Sequence, residues 1–238
     1  MSFGRSKKAV TPAYLIHKEK LEVVGHTKYL GVTFSDNLKF NKHIDNVIGK
    51  ANRMLGLIRR SLRHCGPRCR ELAYFSLVRS QLEFACSLWD PATVGEISKL
   101  EMVQRRSVRA VENVFVREEG VVSGLLKRRH WVSLAERRKM ARLILMFKMW
   151  RGEIDLPFDR YFQRKSSVTR SRHQCQLTHQ RARNNLIGGS FFVRSILDWN
   201  NLERVNFINS DSFRQHLVRG LERQFPPTPS VTPVSPST

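Results

Sequence analysis

Between residues 44 and 62, seven apolar side chains recur at i, i+3, i+4, i+7, i+11, i+14 and i+18: Ile44, Val47, Ile48, Ala51, Leu55, Ile58 and Leu62. They form one stripe along a single α-helix, and a helix with such a stripe must bury it against a neighbour. Lys50, Arg53 and Arg60 fall largely on the opposite face. Gly66-Pro67 ends this helix and opens the next, because proline is tolerated at a first helical position. In that second helix Leu72, Phe75, Leu82, Cys86 and Trp89 make the buried side, and Asp90-Pro91 stops it. A third helix is expected over about residues 95–117, with Ile97, Leu100, Gln104, Val108, Val111 and Phe115 on one side and Arg105, Arg106 and Arg109 on the other. After a break from Gly120 to Gly124, Ser133-Leu134-Ala135-Glu136 reads as a capping box for a helix that runs to Trp150 and closes at Gly152. Four such helices make a bundle-like body.

Upstream, the period is about two. Ala13–Ile16, Leu21–Val24 and Lys28–Phe34 are rich in β-branched and aromatic residues and read as three short strands. Three strands cannot bury both faces alone, so the sheet must lean on the helices. Downstream, from Leu156 to Gly189, the pattern weakens. Residues 160–183 carry seven basic residues and no acidic one. Order returns with Phe191, Phe192, Ile196, Trp199 and Leu202, and a last helix carries Phe213, Leu217 and Leu221 behind a Ser210 or Asp211 cap. Beyond Gln224 the composition is proline-rich and disordered in character. The expected fold is therefore mainly α. A small N-terminal β segment (1–36) packs on a helical body (37–155), followed by a basic region with short helices (156–223) and a disordered tail (224–238).

Charge narrows the function. Lys and Arg total 42 against 20 Asp and Glu, a formal net charge of +22, and 29 of the 42 cations are arginine. The excess is spread along the body, at +6 for residues 25–100, +6 for 101–155 and +7 for 156–223. Such a surface suits a polyanionic partner, and arginine favours planar phosphate forks and stacking. An anionic membrane is the lesser candidate. No apolar run approaches the roughly 18 residues of a span, and the chain shows neither a myristoylation signal nor a signal-peptide core. An intracellular setting, nucleus or cytoplasm, follows, with Cys65, Cys69, Cys86 and Cys175 as ordinary free thiols. Their spacing with His64, His173 and His179 matches no closed zinc pattern.

No catalytic constellation stands out. The chain has no glycine-rich phosphate loop, no G-x-S-x-G and no H-E-x-x-H, and no cofactor or small-molecule substrate is expected. Two-metal nucleotidyl transfer needs carboxylates converging on ions roughly 4 Å apart. Asp36, Asp45, Asp90 and Asp198 instead read as caps or turn residues, and Glu118-Glu119 as solvated. The basic clusters are better candidates. Lys127–Trp131 (with Arg128 and Arg129) and Arg137-Arg138-Lys139 set cations beside an aromatic, a mixture that can hold phosphates and stack a base. The competing reading packs Trp131 into the core while the arginines face water.

Five segments, in order, carry a resemblance. They are Lys28-Tyr29-Leu30-Gly31-Val32 with His43-Ile44; Leu77–Cys86 with Trp89-Asp90-Pro91; Val103–Arg109; Trp131 and Leu134 with Glu136-Arg137-Arg138; and Ser190–Arg194 with Trp199–Leu202. Over residues 20–221 this succession resembles the reverse transcriptases of non-LTR retrotransposons, closest to Jockey-like and chicken-repeat-like elements. The resemblance implies the end of a palm, a thumb and the region after it. Lys28, Tyr29 and Gly31 would lie by the primer end, and Arg105, Arg106, Arg109, Arg137 and Arg138 along the backbone of RNA or an RNA–DNA hybrid, where the basic cluster places Arg128 and Arg129 as well. The family's catalytic Asp-Asp motif lies upstream of the first matching segment, so the expectation is a backbone-binding fragment without polymerase activity of its own. Two alternatives stand beside it. One is a helical module for an acidic protein partner; the other is the C-terminal part of an active RNA-directed DNA polymerase whose palm lies in a longer product.

Overall fold

Two antiparallel hairpins lead into the helices. In the computed structural model, which describes residues 14–116, 118–165, 175–179, 181–183, 185–203 and 205–224, β1 (Leu15–Ile16) pairs with β2 (Glu19–Lys20), and β3 (His26–Tyr29) with β4 (Val32–Ser35). The expected single sheet is thus two separate ribbons, and Leu21–Val24 is not a strand. The reason lies at Leu30-Gly31. Both have positive φ (45° and 88°), which folds Lys28–Phe34 back on itself as a two-residue hairpin turn with Tyr29 opposite Val32. A side chain at position 31 would also sit 3.0 Å from the Phe84 ring, so the turn is pressed against the helical body. Only β4 reaches the core, through buried Val32 and half-buried Phe34.

The stripe on α1 (Asn41–Ser61) is buried as its spacing requires, with Ile44, Val47, Ala51, Leu55 and Ile58 inside. The second helix departs from expectation. α2 (Pro67–Ala73) passes into a π-helical stretch (Tyr74–Arg79), then α3 (Ser80–Glu83). An α-helix drifts about 40° with every four-residue step, and the wider π turn drifts the opposite way and offsets it. Tyr74, Val78 and Leu82 are therefore the buried side, and Leu72 is 53% exposed. Ala85, in the left-handed region at φ 49°, breaks the rod before α4 (Cys86–Trp89), and the Trp89 indole donates to the Phe84 carbonyl at 2.8 Å.

α5 (Val94–Glu112) starts at a Thr93 cap and stops at Asn113, again left-handed, so Phe115 lies beyond the helix and is exposed. The segment read as a break holds α6 (Val121–Arg128). α7 (Leu134–Arg151) begins where Ser133 Oγ accepts from the Glu136 N–H and ends at Gly152, φ 70°. α8 (Phe158–Tyr161), α9 (Asn185–Gly188), α10 (Phe191–Asn200) and α11 (Ser210–Gln224) complete the order. Part of the basic stretch 160–183, and the tail beyond Gln224, lie outside the described residues.

Two cores share α7. Its first residue, Leu134, belongs to a core built by α1, the α2–α3 rod, α4 and α5. Leu143, Met146, Phe147 and Met149 belong to a second core with Phe162, Ile196, Trp199 and Phe213. The packing therefore changes hands inside α7, about ten residues before the expected boundary at 155.

Candidate nucleic-acid interface

A single structural fact sorts the arginines: which of them already has a carboxylate. Arg138 is 1% exposed and donates from Nε to Asp90 at 2.7 Å. Arg142 donates to Asp90 and, at 2.6 Å, to Asp198, and Arg194 lies 2.9 Å from Asp90. Arg137 grips Glu83 through Nε and, at 2.9 Å, through Nη2. Arg129 bonds Glu112 at 2.6 Å and Glu71 at 3.2 Å. Its hydrogen bond holds the Glu112 carboxyl below the usual carboxylate range. Arg128 also reaches Glu112, at 3.2 Å, though its side chain is mostly exposed.

These contacts correct the earlier assignment. Arg138 is inside the fold and out of reach of any phosphate, while Arg129 and Arg137, partly exposed, are already committed to carboxylates. Asp90 and Asp198 are likewise more than turn residues, since the buried Asp90 carboxylate and the partly exposed Asp198 both hold arginines of one network. Trp131 follows the packing alternative. Its ring stacks on Tyr74 at 4.2 Å, and its N–H donates to Glu71 at 2.9 Å, so one ring face and the polar edge are committed to packing.

The free cations lie elsewhere. Among the described residues, Lys28, Lys50, Arg53, Arg59, Arg60, Arg63, Arg70, Arg105, Arg106 and Arg109 have no carboxylate within 4.0 Å. Six of them project from α1 and its C-terminal end through the start of α2, and all but Arg70 of these six are exposed or partly so. On α1 the pattern is a repeat: Gly49 with Arg53 four residues on, and seven residues later Gly56 with Arg60. A Cβ at Gly49 would lie 3.7 Å from an Arg53 guanidinium nitrogen, and one at Gly56 3.4 Å from that of Arg60. Each guanidinium thus folds back over bare backbone. Glycine inside a helix costs about 1 kcal/mol relative to alanine, so two on one face need a compensating reason.

Two cavities open on this face. The first, about 410 Å³, lies between the β3–β4 hairpin and the start of α1, lined by Lys28, Gly31, Asp45, Asn46, Lys50 and Arg53, with His43 at its floor. His43 is 3% exposed and its Nδ1 accepts the Thr33 N–H at 3.2 Å, which places the ring proton on Nε2. Burial, and then Lys50, push its pKa down, so the ring is neutral and adds no charge. Beside the cavity the hairpin tip exposes Tyr29 (64%) and Leu30 (78%). The second, about 650 Å³, lies at the far end of α1, between it, α2 and the end of α5. Seven residues at 1.5 Å each put the Arg53 and Arg60 positions roughly 10 Å apart.

The structure therefore brings Lys28, Tyr29 and Gly31 together with Lys50 and Arg53, and leaves Arg105 and Arg106 free and exposed on α5. Arg109 is half-buried, with Nε enclosed and unpartnered. Sequence reasoning omitted the α1 arginines as site residues, although the glycine–arginine repeat opposite the apolar stripe was available to find them. Among the described residues no cluster of His, Cys, Asp and Glu could hold a metal ion, and no helix is long and apolar enough to cross a membrane. No family model, no curated protein and no solved structure matches the chain.

Proposed function

We propose that the chain binds the phosphate backbone of RNA or an RNA–DNA hybrid along α1, as the palm-end and thumb part of a non-LTR-type reverse transcriptase, without polymerising by itself. The observation that carries this reading is the unpaired cation track that links the hairpin cavity to the far end of α1. Phosphate contacts of this kind position a strand and carry no base sequence. Lys28, Lys50 and Arg53 would take phosphates in the hairpin cavity, and Tyr29, exposed on the tip, would lie against the adjoining sugar. In a longer product that supplies metal-holding carboxylates, the same face would serve an active RNA-directed DNA polymerase.

A gel shift across a salt series tests the binding. Hybrid duplex should shift at low salt, lose affinity steeply as salt rises and show little sequence preference. No shift at low salt would refute strand binding and assign the cations to an acidic protein partner. Primer extension on a homopolymer template tests the second half, with no incorporation expected; magnesium-dependent incorporation by the purified chain would overturn it.

A further inference from the structure

The cavity at the far end of α1 differs from the hairpin cavity in both charge and wall. Four guanidiniums line it, those of Arg59, Arg60, Arg63 and Arg70, and no carboxylate does. Arg70 is 7% exposed and pinned, donating from Nε to the Val111 carbonyl at 2.8 Å and from Nη1 to that of Arg63 at 3.4 Å. Its second Nη has no hydrogen-bond partner among the described residues, so a fixed single donor nitrogen is available at the wall. Arg59 lies 5.3 Å from the centroid of Phe115, whose ring is 59% exposed.

A single phosphodiester carries one negative charge and would leave most of this cluster uncompensated. A phosphate chain carries three or four within a few ångströms, and guanidinium forks match its oxygens. An exposed aromatic ring with an arginine on it is also a platform for a base. The volume, about 650 Å³, is of the size that holds a small ligand. We infer that this cavity is a nucleotide polyphosphate site: Arg59, Arg60, Arg63 and Arg70 hold the phosphate chain, and Phe115 is the wall against which the base stacks. The ligand is either a free nucleoside triphosphate or the 5′-triphosphate end of an RNA strand. The site uses the same cationic face as the strand track but does not depend on strand binding.

Calorimetric titration of the full chain at low salt tests this with tripolyphosphate, ATP and two short RNAs that differ only in a 5′-hydroxyl or 5′-triphosphate. Tripolyphosphate and ATP should bind one to one and compete. The exposed pair Arg60→Gln/Arg63→Gln should weaken both about a hundredfold, roughly tenfold for each charge-assisted contact removed. Phe115→Ala should weaken ATP severalfold and leave tripolyphosphate unchanged, whereas Lys50→Gln/Arg53→Gln should weaken the RNAs and spare tripolyphosphate. Preference for the 5′-triphosphate RNA, abolished in Arg60→Gln/Arg63→Gln, assigns the ligand to a strand end. Equal affinity for the two RNAs, unaffected by bound ATP, assigns it to a free nucleotide. If tripolyphosphate fails to bind, or binds the Arg60→Gln/Arg63→Gln protein equally well, the site is refuted; 5′-hydroxyl RNA binding under those conditions would leave the strand track standing.

Discussion

Replacing Asp90 by alanine should cost about 3–5 kcal/mol of stability, the magnitude for leaving one buried charge without its partner. The geometry explains why the figure is one charge and not three. The Asp90 carboxylate accepts from Arg138 and Arg142 and pairs with Arg194 at 2.9 Å. After its removal Arg142 still holds Asp198 at 2.6 Å, and Arg194, with 24% of its side chain exposed, keeps the backbone carbonyls of residues 90 and 91, each at 3.1 Å. Arg138 has neither recourse. It is 1% exposed, and its Nη1 and Nη2 have no hydrogen-bond partner even with Asp90 in place. Burial already pushes its guanidinium down from the ordinary arginine range.

The converse change should be mild. Arg138→Met removes the buried charge and its unpaired donors, fills similar space and leaves Asp90 two guanidiniums, so its cost should stay within about 1–2 kcal/mol. The double variant should then recover at least 2 kcal/mol of the Asp90→Ala loss, a coupling of the size expected for residues in one network. Urea unfolding of the four proteins measures all of this, with the midpoint shifting at constant slope. A loss below about 1 kcal/mol in Asp90→Ala, or a double variant no more stable than Asp90→Ala alone, would refute the reasoning.

Lys50→Gln/Arg53→Gln should lower the slope of log affinity against log salt by about 1–2 and leave urea stability unchanged, because each lost phosphate contact removes close to one unit of slope; an unchanged slope would remove α1 from the interface. His43, held neutral by burial, favours folding fully above about pH 6.5, its ordinary pKa, and loses that contribution as pH falls below it, because the unfolded chain takes up the proton first. Thermal melts between pH 8 and 5 should therefore show a decline that flattens in His43→Gln. Trp131→Phe should cost about 1–3 kcal/mol through the unpaired Glu71 oxygen and leave RNA affinity unchanged; a folded Trp131→Phe protein that no longer binds RNA would restore a base-stacking role.

What was legible in the sequence was whatever a local pattern decides. The α1 stripe, Pro67 at a helix start, the Ser133 cap and the Gly152 stop all depend on residues within a few positions of one another. The π-helical stretch was not legible, because a residue spacing of four at Tyr74, Val78 and Leu82 is compatible with either kind of turn until a core selects one. The hairpin at Leu30-Gly31 was hidden by a leucine in the left-handed region, where asparagine or aspartate would have advertised a turn. The basic clusters misled for a third reason. Arg129 finds Glu71 58 residues away, Arg137 finds Glu83 at 54, and Arg194 reaches the Asp90 carbonyl across 104. No window along the chain contains such a pair.

Pairing does not exhaust the excess charge, and the way it fails locates the interface. Glu71, Glu83, Asp90, Glu112 and Asp198 each hold at least two cations. The three glutamates are the more enclosed partners, with side-chain exposure of 8% for Glu71 against 81% for Arg68, whereas around Asp90 and Asp198 the guanidiniums of Arg138 and Arg142 are as enclosed as the acids or more so. The fold thus draws these carboxylates inward, where each neutralises guanidiniums that the cores need to bury. On α1 the single carboxylate is Asp45, at the helix start and 3.1 Å from Lys99. Beyond it, the cations of that helix have no carboxylate within 4.0 Å among the described residues. A surface left uncompensated over several turns repels itself and destabilises the folded chain, so an external polyanion that supplies the missing charge must also stabilise the fold. Binding and thermal stability should therefore rise together with added RNA, and the stability gained from RNA should fade together with binding as salt is added.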